Sequence, residues 1–132
     1  MRFDMELFAW CWITLGFISG TMLGIRFHDA SWLGGYTSWP RRLLRLGHIA
    51  MIALGAISLL VSAHLSAREI SEPARWIISG GMLLGAMSMP LCCFIIAFFP
   101  RGRTLFAIPV LALTTMGITI ISTLLEGNRI NS

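Results

Sequence analysis

Lysine is absent from this chain: all ten basic side chains among its 132 residues are arginine. Charge of either sign is scarce, at 12% against 56% hydrophobic residues, a mixture far from that of a soluble globular domain. The position of the gaps matters more than their extent. Four stretches, 7–25, 46–67, 76–99 and 105–125, contain no Asp, Glu, Lys or Arg. Each is close to the roughly 20 residues that a helix needs to cross about 30 Å of hydrocarbon. The fold class expected is therefore an all-α integral membrane protein, one domain over 1–132, with four transmembrane helices in an antiparallel bundle.

Other absences remove whole classes of function. The three cysteines, Cys11, Cys92 and Cys93, form no C-x-x-C pair, and Cys11 falls at a different depth from the other two, so no disulfide is expected. No H-E-x-x-H motif, Ser/His/Asp set or intramembrane pair of carboxylates exists, which argues against an enzyme. The net charge of +4 and pI near 9.8 do not indicate nucleic acid, because the arginines flank apolar spans instead of forming a stripe with interleaved aromatics. No ionisable group falls well inside a span, which disfavours cation-coupled transport. Asp4 and Glu6 precede the first apolar stretch and no A-x-A-like site follows it, so it reads as a retained helix and not as a signal peptide.

What charge there is orients the chain. With four spans, one side of the bilayer receives Arg26, Arg41, Arg42, Arg45, Arg101 and Arg103, and the other Arg2, Arg68, Arg75 and Arg129. The positive-inside tendency then places the long 26–45 connection in the cytoplasm and both termini outside, in an inner (plasma) membrane of bacterial type. That connection carries Trp32, Tyr36 and Trp39 around Gly34-Gly35, a composition suited to a segment lying among headgroups.

Helical periodicity sorts the faces. Gly16, Gly20 and Gly24 form a ridge that permits close approach of another helix, from this chain or another subunit. Gly47, His48, Met51, Gly55, Ser58, Ser62 and Ser66 share one arc of the second helix, and Gly81, Gly85, Ser88 and Cys92 one face of the third. Thr115, Thr119, Ser122 and Thr123 align on the fourth, and Pro90 predicts a kink.

Two cofactor chemistries fit residue types in this pattern. His48 is a candidate axial ligand of haem b, or a residue at a quinone boundary. Gly47 and Gly55 would leave room for the macrocycle, and Arg41, Arg42 or Arg45 would meet the propionates. A second ligand at that depth is missing, since His28 lies in the connection and His64 about 24 Å farther along the helix axis. The plainer reading of His48 is a hydrogen-bonded residue at a helix end. Met89 with Cys92 or Cys93 supplies soft ligands that suit Cu(I), although Met87 falls about 200° away from Met89 on a regular helix, which leaves the set small. The function expected is a non-catalytic accessory or structural subunit of a larger membrane assembly, with an electron-transfer complex the preferred host. It would dock through the Gly16/Gly20/Gly24 ridge to other subunits or to itself. The alternatives are a homo-oligomeric carrier or channel and a haem b subunit using His48.

Overall fold

In a computed structural model, the structure describes residues 4–130, with side chains for 4–127. The described chain is helical, without strands: α1 (Met5–Phe27), α2 (Trp39–Ala67), α3 (Glu72–Phe98) and α4 (Ala107–Ile130), with short 3₁₀ segments at Trp32–Gly34 and Pro100–Phe106. All four helices are long and apolar enough to cross a membrane.

The helix starts follow local chemistry. Asp4 caps α1 by accepting the Leu7 amide at 3.0 Å, and Glu6 adds a negative charge to the first turn. Pro40 and Pro73 sit in the first turns of α2 and α3, where the missing N–H costs nothing. Ser38-Trp39-Pro40 therefore starts α2 well before residue 46, so Arg41, Arg42 and Arg45 stand on its first two turns and not in the connection. What is left of the connection is a tight turn: Leu33, Gly34 and Gly35 adopt positive φ of 54°, 84° and 90°. Two of these three are glycine, the residue that enters this region without steric cost. The helical conformation of α3 continues through Pro90, whose ring is fully buried.

Extensive packing among the described residues joins only helices consecutive in the chain: α1 with α2, α2 with α3, and α3 with α4. The span of α1 is 11% buried and that of α4 is 11%, against 39% for α2 and 44% for α3, so α1 and α4 are the flanks of the arrangement. Small residues set the spacing. A Cβ at Gly16 would lie 2.6 Å from Ile52 Cγ1, and one at Gly55 2.6 Å from Ile13 Cγ1. A Cβ at Gly81 would lie 2.9 Å from the Ala112 carbonyl oxygen, and Gly85 faces the Leu113 side chain. One apolar cluster, including Leu54, Val61, Ile78, Met82, Ala86 and Met116, fills the middle of the helices. A second, of Leu43, Leu44, Cys92, Ile96 and Ala97, lies under the 3₁₀ segments. The hydroxyls bond back into their own helices: Ser58 to the Leu54 carbonyl at 2.8 Å, Thr119 to Thr115 at 2.9 Å and Ser122 to Ile118 at 3.0 Å.

Candidate functional site

The polar groups singled out in the sequence gather at the start of α2, where it meets the end of α1. Arg41 and Arg45 are one turn apart and both turn towards the connection. Arg41 is 2% exposed. Its guanidinium donates to the carbonyl oxygens of Ala30 (3.1 Å) and Phe27 (3.3 Å). It also lies 4.6 Å from the centre of the Phe27 ring and 5.8 Å from that of Trp32. Its Nε has no partner. The positive group thus sits at the negative end of the α1 dipole and satisfies carbonyls that the helix leaves without donors. Arg45 lies 4.4 Å over the Tyr36 ring and donates to the Tyr36 carbonyl at 3.4 Å. Arg103 reaches the Trp39 ring at 5.1 Å, which ties the 100–106 segment to the same end of the molecule. Arg42 is exposed.

His48 is half-buried one turn beyond Arg45. Its Nδ1 lies 3.0 Å from the Arg45 carbonyl oxygen. A carbonyl only accepts, so Nδ1 carries the proton in the neutral ring and Nε2 keeps its lone pair. The ring rests on Gly20: a Cβ there would stand 2.9 Å from Cδ2 and 3.1 Å from Nε2. His48 therefore fills the notch that Gly20 leaves in α1. Gly16 meets Ile52 one turn farther along, while Gly24 has open space around it.

The room expected beside Gly47 and Gly55 for a macrocycle is occupied within the chain. The space beside Gly47 is taken by the Phe94 ring and by Cys93, whose Cβ is 3.2 Å from where a Gly47 Cβ would be. Beside Gly55 stand Ile13 and the Ala9 carbonyl oxygen. Of the three arginines assigned to propionates, Arg41 and Arg45 are engaged by the connection. The soft-metal set does not converge either. Cys92 donates through Sγ to the Leu105 carbonyl at 3.4 Å, Cys93 is buried against Gly47, and Met89 packs on the central cluster. Among the described residues no group of three or more His, Cys, Asp or Glu stands ready to hold a metal.

The His48–Gly20 pairing escaped the sequence reading, since periodicity gives the face of each helix but not the register between them. In the sequence His28-Asp29 reads as a polar pair suited to a turn or an interface, and the structure forms a turn at Asp29. Its Oδ1 accepts from the Ser31 hydroxyl at 2.7 Å and the Ser31 amide at 2.9 Å, and these bonds hold its carboxyl below the ordinary value of 3.8. The turn's contribution is thus present at neutral pH and is lost as pH falls through that depressed value. The D-x-S spacing of an Asx turn was the available signal. Comparison of the chain with protein-family models, curated proteins and solved structures finds no match in any of the three.

Proposed function

We propose that this chain is an integral membrane protein whose four helices cross the bilayer in antiparallel order, and that it serves as a non-catalytic accessory subunit of a larger membrane assembly. The 28–38 and 100–106 connections face the cytoplasm of an inner (plasma) membrane, and both termini lie outside. The observation that carries the reading is the packing order: α1 and α4 each have one extensive helix neighbour. Their outward faces carry exposed Trp10, Phe17, Ile18 and Met22 on α1, and Val110, Leu111, Ile118 and Ile121 on α4. In lipid such flanks accept either acyl chains or further helices. Gly24 on α1 and Gly117 on α4, both open, are points where another backbone can come close. Among the described residues the buried interior is apolar apart from Arg41 and Ser58, whose hydroxyl bonds back to its own helix, which suits a scaffold better than a conduit. The reading does not rest on haem, because the space beside Gly47 and Gly55 is filled and the Nε2 side of His48 lies against Gly20.

Three measurements test it. An alkaline-phosphatase fusion after Ser132 is expected to be active, and a fluorescent-protein fusion there dark; the reverse pattern inverts the topology. Solubilised in mild detergent, the protein is expected to bring down larger membrane proteins and to show no Soret band, with His48→Gln leaving its yield and partners unchanged. A protein that purifies alone and carries a solute into liposomes sinks the accessory reading in favour of a homo-oligomeric carrier.

A further inference from the structure

Beside the α1 C-terminus lies a shallow hollow of about 520 Å³, lined by Met22, Ile25, Arg26, His28, Asp29 and Trp32. Its lining is divided. Met22 and Ile25 are exposed apolar side chains on the last turns of α1, and the ionisable groups follow directly where the helix ends. Arg26 and Asp29 bring opposite charges to the same hollow, and among the described residues neither makes an ion pair. The Asp29 carboxylate accepts both Ser31 bonds on Oδ1, and the Trp32 amide and the Arg41 charge further favour its ionised form; it is exposed, so lone pairs on Oδ2 can still accept from an ammonium. The carbonyls of Phe27 and Ala30, which would repel an anion at a helix C-terminus, are capped by Arg41.

We infer that this hollow binds the headgroup of a zwitterionic phospholipid bearing a primary ammonium, with the phosphate on Arg26 and His28, the ammonium on Asp29, and the acyl end along Met22 and Ile25. The inference rests on the membrane-embedded reading above. An apolar floor that turns into paired charges at the end of a span matches the order of groups in an interfacial lipid. Arg26 and the His28 ring are donors suited to phosphate oxygens. Asp29 selects among headgroups in two ways. Its negative charge disfavours a headgroup with net negative charge, and its free oxygen rewards an ammonium that has N–H groups to donate, which a quaternary ammonium lacks.

The test uses the full chain in mild detergent, with lipid retention read by native mass spectrometry against phosphatidylethanolamine, phosphatidylglycerol and phosphatidylcholine of identical acyl chains. Phosphatidylethanolamine is expected to be retained about three- to five-fold better than either of the others, the scale of one partly exposed charge pair. Asp29→Asn should bring its retention down to that of phosphatidylcholine without lowering phosphatidylglycerol. Arg26→Gln should weaken all three, and Arg42→Gln, on the exposed side of α2, should leave the order unchanged. Equal retention of the three lipids by the wild-type chain, or an unaltered order in Asp29→Asn, overturns the site. Displacement of bound lipid by millimolar free phosphoethanolamine would overturn the lipid as occupant, because the apolar floor would then contribute nothing; resistance to it supports the lipid. Alkaline carbonate extraction separates the two readings. Release of the chain from membranes sinks membrane integration itself, whereas retention together with flat lipid preference sinks only the headgroup site.

Discussion

Arg41 and Arg42 are neighbours in sequence with opposite environments, and their substitutions should separate cleanly. Arg41→Lys keeps the charge but loses the planar fork that reaches two carbonyls between two rings, and is expected to cost about 1–3 kcal/mol. Arg42→Ala, on an exposed position, should stay within about 0.5 kcal/mol of wild type. Thermal unfolding in detergent measures both. The glycines divide in the same way. Gly16→Ala places a methyl against Ile52, whose backbone N is 3.2 Å from the new atom and has little freedom to move, so overpacking of about 1–3 kcal/mol is expected. Gly20→Ala meets a side chain instead, and displaces the His48 ring. Gly24→Ala meets open space and should be neutral or slightly stabilising through helix propensity. Spacing alone puts Gly16, Gly20 and Gly24 on one face of α1 and shows the polar character of the α2 start, but not that Gly16 and Gly20 meet α2 while Gly24 meets nothing. That Arg41 is buried was not legible. A buried guanidinium is contrary to the usual preference of arginine for the surface, and only the fold brings the Phe27 and Ala30 carbonyls to it.

At the scale of elements, the four apolar stretches were visible because absence of charge over about 20 residues is a strong signal. Their ends were not, because hydropathy stops at the last apolar residue while a helix stops at its cap. Thus α2 begins at Trp39, where Pro40 sits in the first turn after an extended Ser38, and α1 runs on to Phe27 past Arg26. The connection between them depends on backbone conformation more than on side chains. Replacing Gly34 or Gly35 by alanine puts a Cβ into positive φ and is expected to cost about 1–2 kcal/mol at either position. Limited proteolysis should show faster cutting within 28–38, where the strain is absorbed. Leu33 already adopts φ of 54°, and its side chain packs on the Leu43 and Leu44 cluster, which offsets that strain. Leu33→Gly should relieve the backbone but lose the contact, so no gain in stability is expected.

For the molecule as a whole, the proposed topology distributes charge unevenly across the membrane. It gives the cytoplasmic side six of the ten arginines with Asp29, and the outside the other four with five acids. On the proposed reading, moving two arginines to the far end, as Arg101→Ser and Arg103→Ser with Glu69→Arg and Glu72→Arg, should give a mixed or inverted orientation, read by fusion reporters after Ser132. The restriction of extensive packing to consecutive helices has a further consequence, which concerns time and not space. A helix emerging from the ribosome finds its packing partner in the one made just before it, so assembly can proceed in the order of synthesis without waiting for the last segment. Short separations between contacting residues favour fast folding. A nascent chain ending at Ala67 should already hold Gly16 against Ile52 and His48 against Gly20. With Ser19→Cys and Met51→Cys, at side chains that meet at 3.9 Å between Oγ and Sδ, oxidation should crosslink the truncated chain as readily as the complete one. A crosslink that forms only once α4 is present would mean that the pair is assembled late, by the whole, and that synthesis does not set the order.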